Sequence, residues 1–86
     1  MRYILSKRFE KDFKKLRTPI KKKVLVVLQK FIDDPMNPAF RNHRLPGKWN
    51  NHFSINVTGD VRAVYVYIEN NIVHFVAVGS HSELYG

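Results

Sequence analysis

Polar and apolar residues change rhythm near the middle of this chain. In the first half the apolar positions recur at helical spacing. Phe9, Phe13 and Leu16 lie four and three apart, and Ile20, Val24, Val27, Leu28 and Phe31 repeat the pattern. Ser6 stands where an N-cap is wanted for the first run. Thr18-Pro19 supplies an N-cap followed by proline at the first helical position for the second. Asp33-Asp34-Pro35 ends that second helix near Ile32, because the residue before a proline disfavours helical backbone. The expected product is a helical hairpin, preceded by the short apolar run Tyr3-Ile4-Leu5, which suits an edge strand.

Past Pro35 the loop-forming residues Asn37, Pro38, Pro46 and Gly47 intervene, and the period then shortens to two. From His52 to Val57 the alternation puts Phe53, Ile55 and Val57 on one face. Thr58-Gly59-Asp60 is turn chemistry, Val61 to Ile68 is a second strand, and Glu69-Asn70-Asn71 turns into a third from Ile72 to Val78. Alternation fails in VYVYI and IVHFVAV, as expected of strands that are central or covered on both faces. The predicted order is β-α-α-β-β-β. An antiparallel meander is joined by the N-terminal strand, with the hairpin packed on one face: a two-layer α+β domain spanning residues 1–86.

Composition narrows the setting. There is no cysteine, so neither disulfides nor thiolate metal sites are possible, in keeping with a reducing cytoplasm. Apolar runs such as Val24 to Leu28 are far short of the roughly 20 residues a spanning helix needs, and the N-terminus lacks the apolar region of a signal peptide. A soluble cytoplasmic protein without membrane contact is expected. Neither His52 nor His74 has a third ligand at metal-binding spacing, and no cofactor or metal is expected.

Charge changes the picture more. Fifteen Lys and Arg face seven Asp and Glu, for a net charge of +8. Residues 1–44 hold thirteen basic and four acidic side chains, whereas residues 45–86 hold two and three. An excess of this size on a small domain favours a polyanionic partner, because each neutralised phosphate releases counterions. The helical lysines Lys14, Lys15, Lys21, Lys22 and Lys23 read either as phosphate contacts that position an RNA or as a solvated face. Arg62 is one of two basic residues beyond Arg44. Within an apolar strand such a residue either snorkels to an edge or binds an anion.

Three segments carry a resemblance. His43-Arg44-Leu45-Pro46-Gly47-Lys48-Trp49 is similar to an H-x-L-x-G-x-W pattern, Gly59-Asp60-Val61-Arg62-Ala63-Val64-Tyr65 to a G-x-x-R-x-x-Y strand, and Gly79-Ser80-His81-Ser82-Glu83-Leu84-Tyr85-Gly86 to a G-T-H-x-x-L-F-G ending. Together, in this order and in a chain of this length, they resemble the RelE/ParE toxin superfamily, and most closely its YafQ branch. The resemblance implies a RelE-like fold and the toxin of a type II toxin–antitoxin system. Such a toxin is a ribosome-dependent endoribonuclease that cuts mRNA without a metal and so inhibits translation. Ribosomal RNA, mRNA and a cognate antitoxin are the implied partners, with the free toxin a monomer and the antitoxin complex a hetero-oligomer. A ParE-like gyrase inhibitor and a non-catalytic RNA-binding module remain as alternatives.

Metal-independent RNA cleavage requires an activated 2′-OH, a stabilised phosphorane and a protonated 5′-oxygen. Histidine titrates near neutrality and arginine grips phosphate bidentately. The resemblance makes His81 the general acid and Arg62 the phosphate clamp. It makes His43 a base or a substrate-positioning group, against a plain loop histidine. Asp60 orients a histidine, acts as base or merely forms the turn. Lys48 holds the RNA backbone, and Trp49 stacks a base or fills the core. Tyr85 stacks on substrate or takes part in catalysis. Two positions depart from the YafQ pattern. Asn56 stands where the family has a histidine and Ala77 where it has an arginine, so Arg62 would act from the neighbouring strand.

Overall fold

The computed structural model describes all 86 residues. Strand β1 (Arg2–Leu5) leads into helix α1 (Lys7–Lys14) and helix α2 (Thr18–Asp33). A two-residue strand β2 (His43–Arg44) follows, then β3 (Phe53–Asn56), β4 (Val61–Glu69), β5 (Ile72–Ser80) and a short closing helix α3 (His81–Tyr85). The two predicted helices form where the apolar spacing put them. Ser6 caps α1, its hydroxyl accepting from the Phe9 amide at 2.9 Å. The start of α2 differs by one residue from expectation: Thr18 is its first helical residue, and Arg17 occupies the cap without a side-chain bond. No helix is long and apolar enough to cross a membrane.

The sheet runs β1-β5-β4-β3-β2. The β3-β4-β5 part is the antiparallel meander the alternation predicted. The expectation of an all-antiparallel sheet is corrected at its edge, because β1 pairs parallel with β5, Arg2 opposite Ile72 and Leu5 opposite Phe75. The connection from β1 to β5 runs through the helical hairpin and then β2, β3 and β4, ample length for a parallel pairing. The far edge is β2, which the sequence reading left as loop. Its residues sit opposite Phe53 and Ser54.

Each face of the sheet has its own apolar cluster. Phe9 of α1 and Val24, Val27, Leu28 and Phe31 of α2 bury against Ile55, Ala63, Tyr65, Val73 and Phe75 on one face. On the other, Val64 and Ala77 meet Leu45 and Leu84. The failed alternation in β4 and β5 has this cause. Ala63, Val64 and Tyr65 are all fully buried because the helices cover one side and the loop before β3, together with α3, covers the other.

The closing helix was not foreseen, although its start signal is readable. Ser80 and Glu83 form a capping box, with the Ser80 hydroxyl accepting from the Glu83 amide and the Glu83 carboxylate accepting from the Ser80 amide at 2.8 Å. These bonds from Ser80 hold the Glu83 carboxyl below its ordinary value near 4.5. A carboxyl whose value falls on folding stabilises the fold above that ordinary value, and the contribution is lost as pH drops through the lowered one. Ser80→Ala is expected to cost about 1 kcal/mol and to weaken the response of α3 to acid. Thermal melts of both proteins at pH 7 and pH 3 would test this, and equal melting temperatures at pH 7 would contradict it.

Candidate active site

The face opposite the helical hairpin carries a cleft of about 380 Å³. Its walls come from two stretches far apart in sequence. The loop around β2 brings His43, Leu45, Pro46, Lys48 and Trp49, and α3 brings His81 and Tyr85. The loop turns sharply. Arg41, Gly47 and Asn51 all have left-handed backbone, with φ of 48°, 66° and 69°. Glycine accepts that conformation freely; Arg41 and Asn51 are held in it by the structure around them. Gly47 thereby starts the turn that presents Lys48 and Trp49.

His43 is exposed at the rim, and its Nδ1 lies 2.8 Å from the Arg41 carbonyl oxygen. A carbonyl only accepts, so Nδ1 carries the proton and neutral His43 keeps its Nε2 lone pair free. The residue before it is fixed from the core, since the Tyr65 phenol donates to Asn42 Oδ1 at 2.9 Å. Burial pushes that phenol far above its usual value, so it remains a donor throughout the neutral range. Tyr65→Phe should cost about 1 kcal/mol and speed amide hydrogen exchange at residues 41–44. Unchanged exchange there would show that Asn42 is held by something else.

Trp49 is half-buried, between the smaller apolar cluster and the cleft. Its indole N–H donates to the Leu84 carbonyl at 3.1 Å, and its ring packs beside the smaller apolar cluster. It still lines the cleft, with the His52 ring edge-on at 5.4 Å. Arg8 reaches over from α1 and lies 5.5 Å from the Trp49 ring centroid. It also pairs with Asp12 at 3.4 Å.

His81 is the exposed first residue of α3. Its amide donates to the Asp60 carbonyl at 3.1 Å, and its ring meets Tyr85 edge-on at 4.8 Å. The Tyr85 hydroxyl turns down toward the sheet and donates to Ser54 Oγ at 2.8 Å. What Tyr85 offers the cleft is therefore its ring. Ser54 itself escaped the sequence reading, although its alternation with Phe53 and Ile55 already put it on this face.

Two predicted residues stand outside the cleft walls. Arg62 shares this face of β4 with Val64, but its guanidinium donates to the carbonyls of Thr58 and Val61, at 3.0 and 3.3 Å. Asp60 is exposed on the β3–β4 turn and touches His81 through its backbone. Lys14, Lys21, Lys22 and Lys23 belong to the helical layer on the opposite side of the sheet, and Lys15, at the edge of that layer, lies near Glu83 of α3. They do not converge with the cleft residues.

The chain is similar to known proteins over its whole length. The family described as the bacterial toxin of type II toxin–antitoxin system, YafQ, matches residues 1–86. A solution structure of a conserved hypothetical protein from Helicobacter pylori is 30% identical, with a TM-score of 0.77 over 99% of each chain. A crystal structure of YafQ from E. coli strain BL21(DE3) is 22% identical, with a TM-score of 0.83 over 98% of this chain and 97% of that one. The E. coli DinJ–YafQ toxin–antitoxin complex holds a chain 22% identical, with a TM-score of 0.79 over 98% and 96%. No curated protein sequence matches significantly.

Proposed function

The chain belongs to the YafQ family of bacterial toxins of type II toxin–antitoxin systems, and on that premise we propose that it is a metal-independent endoribonuclease that cuts mRNA on the ribosome. One observation carries this reading. A single cleft joins two histidines from distant parts of the chain, a lysine and two aromatic rings. That is the set which in-line RNA cleavage needs: base, acid, charge and stacking surface.

In the proposed reaction the free Nε2 of His43 takes the proton of the 2′-hydroxyl, and the 2′-oxygen attacks the adjacent phosphorus. Lys48 at the rim stabilises the charge that develops on the phosphoryl oxygens. Arg62 joins it by exchanging its two carbonyl partners for phosphate oxygens, a stronger charge-assisted contact. Protonated His81 gives its proton to the departing 5′-oxygen. The bond to that oxygen breaks, leaving a 2′,3′-cyclic phosphate and a 5′-hydroxyl. The rings of Trp49 and Tyr85 hold the flanking bases. Asp60 fixes the first residue of α3 through its carbonyl. Lys14, Lys15, Lys21, Lys22 and Lys23, on the far layer, dock the protein on ribosomal RNA through contacts that carry no sequence information. An antitoxin would silence the protein by covering or distorting the cleft.

The test is primer extension on mRNA from cells expressing the chain. New 5′ ends that disappear with His81→Ala support the reading. Intact mRNA together with accumulating gyrase–DNA cleavage complexes would replace it with a gyrase-directed toxin.

A further inference from the structure

Apart from the Tyr65 phenol, Ser54 carries the one polar side-chain group in this protein that is fully buried, with 0% of its surface exposed. A hydroxyl removed from water costs free energy unless it is hydrogen-bonded. Ser54 meets that cost with a residue 31 positions away, accepting from the Tyr85 phenol at 2.8 Å. The placement of this pair is specific. Ser54 lies directly opposite His43 in the β2–β3 register, so their side chains rise from the same face at neighbouring positions. Tyr85 meanwhile stands one helical turn from His81, with the two rings in edge contact at 4.8 Å. Ser54 therefore lies buried behind the cleft walls, beside one histidine directly and joined to the other through Tyr85.

Other attachments of α3 do not fix the same thing. The capping box sets the start of the helix, and the Trp49 bond to the Leu84 carbonyl holds its end. Only the Tyr85–Ser54 bond ties the ring that His81 packs on to the strand that pairs with His43. Without that bond the Tyr85 ring is held only by its packing against the smaller apolar cluster, and the His81 ring rests on Tyr85 without a hydrogen bond of its own.

We propose that Ser54 is a positioning residue for RNA cleavage, acting through Tyr85 to set the separation of His81 from His43. The proposal rests on the nuclease reading above. Holding an acid and a base at one spacing belongs to the transition state more than to binding. A misplacement of about 1 Å can cost two orders of magnitude in rate.

Four purified proteins test this on ribosome-bound mRNA: wild type, Ser54→Ala, Tyr85→Phe and the double variant. Each is also followed by thermal melting and by the imidazole NMR resonances of its histidines. Ser54→Ala is expected to lower kcat about tenfold with KM within about twofold. The His81 resonances should shift while those of His74 stay put. The double variant should be no slower than the slower single variant, since both changes break one bond. The proposal is overturned if Ser54→Ala changes kcat by less than twofold. It is equally overturned if the His74 resonances move as far as those of His81, or if the two single losses multiply in the double variant. The nuclease reading fails separately, by wild-type protein that leaves mRNA intact or by a fully active His81→Ala.

Discussion

Replacing His81 by alanine is expected to lower mRNA cleavage by a factor of about 10² to 10⁴, the usual worth of a positioned proton donor or acceptor. The side chain is exposed at the start of α3, with its ring against Tyr85 and no side-chain hydrogen bond of its own. Its loss removes neither buried apolar surface nor the partner of a buried polar group, so the fold should melt at nearly the wild-type temperature. This separation of rate from stability is what gives the experiment force. His74→Ala is the matched control: it deletes a histidine from the interior of β5, outside the cleft walls. Primer extension gives the qualitative answer. Single-turnover cleavage of ribosome-bound mRNA gives the factor. If His81→Ala cuts within threefold of wild type, the proton must come from elsewhere and the assignment of α3 to catalysis falls.

The same residues show what the sequence could disclose. His43, Lys48, Trp49, His81 and Tyr85 were all singled out from local motifs, and all five line one cleft. Motif similarity transmits which residues belong together, because the fold that joins them comes with it. It does not transmit how a side chain is turned. Tyr85 matched an aromatic position, but the hydroxyl that distinguishes tyrosine points at Ser54, which no motif contained. Arg62 matched a phosphate-binding position, yet in the free protein it satisfies itself on two backbone carbonyls. Arginine has five donors and takes whatever acceptors lie within reach.

The fold was legible to a similar depth. Apolar spacing fixed both long helices and the meander, since each buries a face whose period is written in consecutive residues. The parallel partner of β1 is a different kind of fact. Arg2 opposes Ile72 across seventy positions, and four residues of alternating exposure say nothing of direction or neighbour. β2 has only two residues, both exposed, so no hydrophobic pattern announces it. α3 spans five residues, too few for helical periodicity, and it was announced only by the cap Ser80 and Glu83.

The cleft leans on an aromatic core, and Phe31→Ala should show how strongly. Phe31 of α2 is fully buried, and its ring touches three others: Tyr65 at 5.0 Å, Phe75 at 5.8 Å and Phe40 at 5.9 Å. Truncation loses the transfer free energy of the ring and leaves a void among rigid neighbours that cannot collapse around it. Together these cost about 3–5 kcal/mol. A domain of this kind has about 5–15 kcal/mol in total. The expected fall in melting temperature is roughly 12–40 °C, at 4–8 °C per kcal/mol for a domain this small. The effect should also reach the cleft. Phe31 backs the Tyr65 ring, Tyr65 holds Asn42, and Asn42 precedes His43. Amide exchange at residues 41–44 should therefore rise in Phe31→Ala even well below its melting temperature, and more than in Tyr65→Phe. Phe31→Leu keeps most of the apolar volume and should recover the larger part of the loss. A denaturant titration placing Phe31→Ala within 1 kcal/mol of wild type would mean that the three remaining rings close over the gap, and that the helical layer is not what keeps the His43 loop in place.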